Sequence, residues 1–223
     1  MSTLRHVRFA DFSLFVGAFV LRWGWMARWG RVHAAVEPEQ LRSVRRVFDG
    51  HERLLFEAFL GQAPTPSPQA WPLSIAVHQL LGLFSSDPRA LLLLAVLCGS
   101  VTPVFVAAAV RRHVPPDRRL LAGLSAGALV VLLPEHAAWS TSATPVVHGL
   151  ACLSAAFALR SFSARMVLAA MAAGFRPELA VPALFLGGPG GAAVVVAALQ
   201  VIWIGGPPAA ELLPVLQVNL PLV

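Results

Sequence analysis

Two carboxylates stand close together in an early polar stretch of the chain, Val36-Glu37-Pro38-Glu39-Gln40. A carboxylate whose pKa is tuned by its surroundings can take a proton from a hydroxyl group, so Glu37 and Glu39 are candidate general bases. They come a few residues after the first apolar segment, where a membrane helix would emerge into water. The alternative is structural, because the helix dipole favours acidic side chains in a first helical turn. Both interpretations stay open on the sequence alone.

A second candidate group is Phe175-Arg176-Pro177-Glu178, which separates two short apolar segments. A guanidinium matches phosphate with two parallel hydrogen bonds and stays charged when partly buried, so Arg176 is a candidate phosphate ligand. Glu178 belongs to the same predicted substrate-binding turn. The alternative is a simple ion pair between Arg176 and Glu178 at a helix turn. Charged groups within apolar segments are costly and often functional, which favours binding.

Glu135 and His136 follow another apolar segment and are predicted to face the same side as the acidic loop. They are candidates for lining a substrate site or for binding a metal ion. A single Glu-His pair is more typical of a helix cap or an interfacial group, so no metal site and no cofactor are predicted. His78 and His148 lie within apolar segments and are expected to be interior histidines.

The composition indicates the environment in which these groups must work. The 223 residues are 57% hydrophobic and only 13% charged, whereas about a quarter of a typical soluble protein is charged. This balance predicts a polytopic membrane protein. The net charge is +6 and every basic residue is Arg, but the arginines are scattered among apolar segments, which argues against a nucleic-acid partner. Cys98 and Cys152 lie within apolar segments and are predicted to be free thiols.

The elements that position the candidate residues are therefore expected to be membrane helices. We predict an all-α fold, a single membrane domain over residues 1–223 with about seven transmembrane helices. Its parts are a first span at 12–30, an outer loop at 31–87, six further spans within 88–205 and an outer tail at 206–223. The short basic loops fall on one side, which predicts a cytoplasmic N-terminus.

The outer loop at 31–87 is predicted to hold in-plane helices. Apolar residues recur at helical spacing between charges, which is typical of an amphipathic helix on a membrane surface; they are Leu41, Val44, Phe48, Leu55 and Phe59. In the same helix Asp49 is a second candidate acid, and three arginines are expected to contact lipid headgroups; they are Arg42, Arg45 and Arg46. Trp71 to Phe84 is too short to cross a bilayer and is predicted to be re-entrant or in-plane.

Smaller features complete the prediction. Arg22 is expected to snorkel at the outer interface beside Trp25. The later segments are predicted as helices at 120–133 and 146–159 around an outer loop at 134–145, then a hairpin of short helices at 166–174 and 179–186, a glycine turn at 187–191 and a last span at 192–204.

The order of these segments resembles a known superfamily. After the acidic loop come WPLSIAVHQLLGLFSSDPRALLLLAVLCGSVTPVFVAAAVRR, then LLPEHAAWSTSATPVVHGLACLSAAFAL, then AAGFRPELAVPALFLG. Over about residues 12–205 this order is similar to the GT-C superfamily of integral-membrane glycosyltransferases. That superfamily includes the protein O-mannosyltransferases, the lipid A aminoarabinose transferases and the GPI mannosyltransferases. The resemblance implies that the chain corresponds to the N-terminal seven-helix module of such an enzyme.

The resemblance also implies roles for particular residues. In the superfamily an acidic motif in the first outer loop activates the acceptor hydroxyl, and Glu37-Pro38-Glu39 matches it, with Glu39 nearest the usual acid. Arg176 and Glu178 match a turn that carries a basic residue and a glutamate. The chain departs from the superfamily after the third span, where a Tyr-Ser-Arg-like motif is replaced by WSTS at 139–142, without the arginine.

The function implied is transfer of a sugar from a polyprenyl-phosphate donor to a glycan, lipid or protein acceptor, on the periplasmic side of a bacterial inner membrane. Two alternatives stay open. The missing arginine and the early end of the sequence favour a truncated or degenerate, non-catalytic scaffold or lipid-binding protein. The broken helix pair near Arg176 is also a feature of small transporters, although the repeated half that many transporters have is not visible.

Overall fold

The computed structural model describes residues 2–29, 89–141 and 145–203, together with isolated positions between 73 and 84. Within these ranges the chain is all-helical, with eight α-helices, two short 3₁₀ turns and no strand, which confirms the predicted all-α class for this part. The acidic loop with Glu37 and Glu39, the predicted amphipathic helix with Asp49 and the tail at 206–223 lie outside the described residues. So does most of the predicted re-entrant segment, including His78.

The helices, numbered here in chain order, are α1 (Ser2–Trp29), α2 (Arg89–His113), α3 (Arg119–Leu132), α4 (Pro134–Thr141), α5 (Pro145–Ala158), α6 (Phe162–Phe175), α7 (Ala180–Ala183) and α8 (Gly188–Trp203). Two 3₁₀ turns, Pro177–Leu179 and Leu184–Leu186, flank α7 and extend it in both directions. The longer helices end where proline, glycine or a charged residue follows in the sequence, because these residues stop a helix or favour a turn.

Hydrogen bonds from arginine side chains show which helix ends lie together. Arg111, near the end of α2, donates to Asp11, in the first half of α1, at 2.7 Å. Arg112 donates to two main-chain carbonyls at the end of α5, that of Phe157 in its last turn at 3.0 Å and that of Leu159 just after it. The ends of α2 and α5 therefore lie together with the early part of α1.

Arg165, at the start of α6, donates to the carbonyl of Leu186 at 3.2 Å. The segment 177–186 thus returns along α6 to the same end of the molecule, and α8 leaves from there. We call this end the basic end; its arginines include Arg111, Arg112, Arg118, Arg119, Arg160 and Arg165. The opposite end contains α4 and the turn that carries Arg176.

Small residues allow the helices to approach closely. On α3, a Cβ at Gly123 would lie 3.0 Å from the carbonyl oxygen of Ala107, and one at Gly127 would lie 3.0 Å from that of Pro103. These two glycines are four residues apart, so both face α2, as in the small-residue contacts typical of helices packed in membranes. The core between α5, α6 and α8 is built largely from alanine; its members include Ala156, Ala169, Ala172, Ala173 and Ala193.

Two local predictions were wrong. The expected outer loop at 134–145 begins as a helix, α4, because Pro134 stands at a first helical position, where its missing N–H costs nothing. The expected glycine turn at 187–191 reduces to Gly187, which has a φ of 72°. Gly188 already starts α8, and a Cβ at Gly190 would collide with the carbonyl of Ala183. This glycine is needed for close packing rather than for a turn.

In the described part of the chain, one helix is by itself long and apolar enough to cross a membrane, the 22 residues Leu92–His113. α3 and α4 reach this length only together, and they are bent by 62° at Leu133. The other apolar helices are shorter. One such helix is a weak indication of membrane association, because the core helix of a soluble protein has the same length and composition.

Candidate functional site

The most deeply buried charged side chain in the described part of the structure is Arg22, which is 1% exposed. It lies on the face of α1 that packs against α2 and α4. Its Nη1 donates to the carbonyl of Ala18 at 3.2 Å, one turn earlier in α1. Its Nη2 lies 2.8 Å from Nδ1 of His136. The prediction that Arg22 snorkels outward is therefore wrong, because its side chain turns into the helix packing.

His136 comes from the first turns of α4 and is 3% exposed. Because a guanidinium can only donate, Nδ1 of His136 must accept the hydrogen bond from Arg22. The ring in this contact is therefore neutral and carries its proton on Nε2. Among the predicted site residues, His136 is the one that the structure brings to a buried charge.

Ser140 and Gly99 close the other side of Arg22. The Ser140 hydroxyl is fully buried and donates to the carbonyl of His136, four residues earlier in α4. A Cβ at Gly99 would collide with this hydroxyl and lie 3.2 Å from Nε of Arg22. The site therefore depends on α2 having no side chain at this point, which lets α4 bring His136 and Ser140 up to α1.

The other predicted site residues that the structure describes lie at the same end of the molecule but not in this cluster; Glu37 and Glu39 are outside the described ranges. Glu135 is exposed on the first turn of α4. Arg176 and Glu178 form an ion pair at 2.6 Å in the turn after α6, and their side chains are 28% and 49% exposed. The guanidinium of Arg176 thus already has a carboxylate partner. The structure does not join this pair to Arg22.

Near the Arg176 turn, interior groups hold α5, α6 and α8 together. His148 is 3% exposed and stacks on Phe175, with the ring centroids 5.4 Å apart. Gln200 of α8 is buried and donates to the carbonyl of Gly174 at 2.8 Å. These contacts fix the end of α6 and hence the position of the Arg176–Glu178 turn.

Over the described ranges, no group of three or more His, Cys, Asp or Glu side chains is arranged to hold a metal ion. Cys98 and Cys152 are half-buried free thiols. The two groups that Arg22 contacts, the carbonyl of Ala18 and Nδ1 of His136, are both hydrogen-bond acceptors.

Sequence reasoning missed Arg22, although a signal for it exists. Ala10, Leu14 and Ala18 precede Arg22 at steps of four, and the two alanines are buried. A helix presents such residues on one face. Arg22 therefore continues a line of packed small and apolar residues, which distinguishes it from an arginine that faces outward.

Comparisons with protein-family models, with curated proteins and with solved structures found no significant match. They identify no family for this chain, and the resemblance to the GT-C superfamily stays a prediction.

Proposed function

We propose that the chain is a multi-pass protein of a bacterial inner membrane, with its N-terminus and the basic end in the cytoplasm. Clustering of the short basic loops at one end supports this orientation. Further support comes from large apolar side chains that remain exposed along the helices between the two ends. They include Phe12, Val20, Leu21, Leu121, Leu129, Leu132 and Phe185, each of which is between 56% and 86% exposed.

The function we propose is transfer of a sugar from a polyprenyl-phosphate donor to a glycan, lipid or protein acceptor at the periplasmic end. The observation that carries it is the buried pair of Arg22 and His136, which lies where α1, α2 and α4 pack together, because buried ionisable groups are costly and often mark functional sites. Arg176 and Glu178 lie at the same end as this pair. The order of segments that resembles GT-C enzymes supplies the type of reaction.

In this proposal Glu39 or Glu37 takes the proton of the acceptor hydroxyl as it attacks the sugar carbon. The bond from that carbon to the phosphate oxygen breaks, and the phosphate leaves with the electron pair. Direct displacement inverts the configuration at the sugar carbon. A cationic side chain, Arg176 in the resemblance, stabilises the charge that develops on the leaving phosphate.

Transfer of labelled sugar from polyprenyl-phosphate donors in membranes that contain this chain tests the proposal. We expect transfer by the unmodified chain and its loss in the Glu37→Gln, Glu39→Gln double variant at equal expression. Full transfer by the double variant would reject these bases. Arg118→Gln, which removes an exposed charge from the basic end, is the control and is expected to keep transfer.

A second candidate is a non-catalytic, lipid-binding scaffold of the same membrane. The ion pair of Arg176 with Glu178 favours it, because a guanidinium already held by a carboxylate is less available to a phosphate. The two candidates differ in one measurement. Binding of polyprenyl phosphates without any sugar transfer, in a chain that expresses well, would favour the scaffold.

A further inference from the structure

The turn between α5 and α6 carries exposed positive charge at the basic end. Its sequence over 159–165 is LRSFSAR, which contains two arginines and no acidic residue. Arg160, within this turn, is exposed. Arg112, from the last turn of α2, is exposed as well, and it donates to the carbonyl of Leu159, the residue before Arg160. The packing of α2 against α5 therefore brings a second arginine to the turn that already holds Arg160.

Large apolar side chains are exposed beside the same turn. Phe162, Met166 and Val167, on the first two turns of α6, are 59%, 39% and 53% exposed. Leu159, on the turn itself, is 38% exposed. Arginines bordered by exposed apolar side chains fit the boundary between the headgroups and the hydrocarbon chains of a membrane, where each kind of side chain finds a suitable environment.

The acidic segment that the structure does not describe is attached at the other end of the molecule. Trp29 ends α1 there and Arg89 begins α2 there, so residues 30–88 both leave and rejoin the described helices at that end. Leu73, one of the isolated described positions, also lies there, because a Cβ at Gly174 would be 2.8 Å from its Cδ2. The positive charge of the α5–α6 turn is thus separated along the helices from these points of attachment.

We infer that the α5–α6 turn is a contact surface for anionic phospholipids, with Arg112 and Arg160 beside the headgroup phosphates and the exposed side chains of α6 beside the acyl chains. Basic residues next to membrane helices attract anionic lipids, and a guanidinium matches the geometry of phosphate. A nucleic acid would complement the charge but not the apolar side chains. The inference rests on the membrane setting of the proposed function and goes beyond it, because it assigns a lipid class to residues that take no part in sugar transfer.

Thermal unfolding of the purified full chain in detergent micelles measures this binding, because a ligand that binds only the folded state raises the melting temperature. The probes are dioleoyl phosphatidylglycerol, which is anionic, and dioleoyl phosphatidylcholine, which has the same acyl chains and no net charge. We expect phosphatidylglycerol to raise the melting temperature at concentrations at which phosphatidylcholine does not. Inorganic phosphate and a DNA oligonucleotide are anions without acyl chains, and we expect neither to raise it.

Variants locate the binding on the turn. Arg160→Gln should weaken phosphatidylglycerol binding about fivefold, the contribution of one basic residue near an anionic lipid surface, and Arg160→Lys, which keeps the charge, should bind like the unmodified chain. Arg118→Gln is the matched control, because Arg118 is 80% exposed at the same end but lies 3.6 Å from the carboxylate of Asp117; we expect a change of less than about twofold. Val167→Ser should weaken phosphatidylglycerol binding and leave the ligand-free melting temperature unchanged, because Val167 is 53% exposed.

Equal responses to the two phospholipids would overturn the inference. So would an equal rise with inorganic phosphate, which would assign the turn to free anions, or with the oligonucleotide, which would assign it to nucleic acid. Equal weakening by Arg160→Gln and Arg118→Gln would also overturn it, because the attraction would then belong to the whole basic end.

Failure of the proposed function is a separate result. Phosphatidylglycerol binding that depends on Arg160, without sugar transfer, rejects the transferase and keeps this surface. Sugar transfer together with equal responses to the two phospholipids keeps the transferase and rejects the surface.

Discussion

Asp11 and Arg111 make the ion pair on which the arrangement of the basic end depends. The pair is 2.7 Å apart, and its side chains are 26% and 10% exposed. Nη2 of Arg111 contacts both carboxylate oxygens of Asp11, at 2.7 and 2.9 Å. Removing one member of a buried pair leaves the other charge uncompensated, which costs more than the pair itself contributes.

We therefore expect Asp11→Asn to lower the free energy of unfolding by about 2 kcal/mol, less than for a fully buried pair because Asp11 is partly exposed. Adding Arg111→Met to this variant should restore much of the loss, since the unpaired charge is then gone. Unfolding of the purified variants in detergent measures both effects. Asp117→Asn is the control, because the Asp117–Arg118 pair is wide at 3.6 Å and largely exposed, so we expect no measurable change. Equal decreases in the free energy of unfolding in Asp11→Asn and Asp117→Asn would show that the Asp11–Arg111 pair stabilises the fold no more than the exposed pair does.

At the residue scale, the sequence could predict which side chains are chemically capable but not which of them meet. His136 was a candidate because of its type and position, yet its partner Arg22 lies 114 residues earlier in the chain. The contact depends on Gly99 being a glycine, and nothing local to Arg22 reveals this. The predicted alternative of a simple ion pair between Arg176 and Glu178 is the geometry observed, because their two-residue spacing lets one turn bring them together.

At the scale of elements, the close contact between the 177–186 segment and α8 depends on Gly190, which has no side chain. A Cβ at Gly190 would collide with the carbonyl of Ala183 and lie 3.0 Å from Cα of Leu184. Backbone atoms cannot turn aside as a flexible side chain can. A Cβ at the neighbouring Gly191 would have no atom within 4 Å, so a substitution at Gly191 is a control for one at Gly190.

We expect Gly190→Ala to lower the free energy of unfolding by about 1–3 kcal/mol, as overpacking does. Gly191→Ala should instead raise it by about 0.5–1 kcal/mol, because alanine favours a helix over glycine. Unfolding curves of the two variants under identical detergent conditions provide the comparison. A stabilising effect of both substitutions would mean that α8 does not lie this close to the preceding segment.

The longer apolar helices could be predicted because each follows an apolar run bounded by charges, prolines or glycines. The structure continues the chain as α4 where a loop was expected, because polar side chains such as Glu135 are compatible with a first helical turn. α1 begins at Ser2, before the predicted first span at 12–30, because the polar residues that precede this span are also compatible with a helix.

At the scale of the whole molecule, the two ends differ in charge and in the kind of polar group they hold. Asp11, Arg111 and Arg112 join three helices at the basic end. The opposite end holds Arg22, His136 and the Arg176 turn. This polarity supports the proposed orientation across a membrane, since short arginine-rich connections stay on the cytoplasmic side.

Single cysteines at the two ends test this orientation. In a chain with Cys98→Ala and Cys152→Ala, we expect Glu178→Cys to react with a membrane-impermeant maleimide in cells whose outer membrane is permeable. Arg118→Cys should react only after the inner membrane is opened. Both positions are at least 49% exposed, so a lack of reaction would reflect the membrane and not burial. Equal labelling of both in intact cells would contradict the orientation.

The length of the shorter helices has a consequence for the lipid around them. α3, α5 and α6 have 14 residues each, or about 21 Å at 1.5 Å per residue, whereas the hydrocarbon core of a bilayer is about 30 Å thick. In the proposed setting, local thinning of the bilayer beside these helices is one way to relieve a hydrophobic mismatch of this sign. A protein with several such helices would then be favoured in thinner membranes over thicker ones.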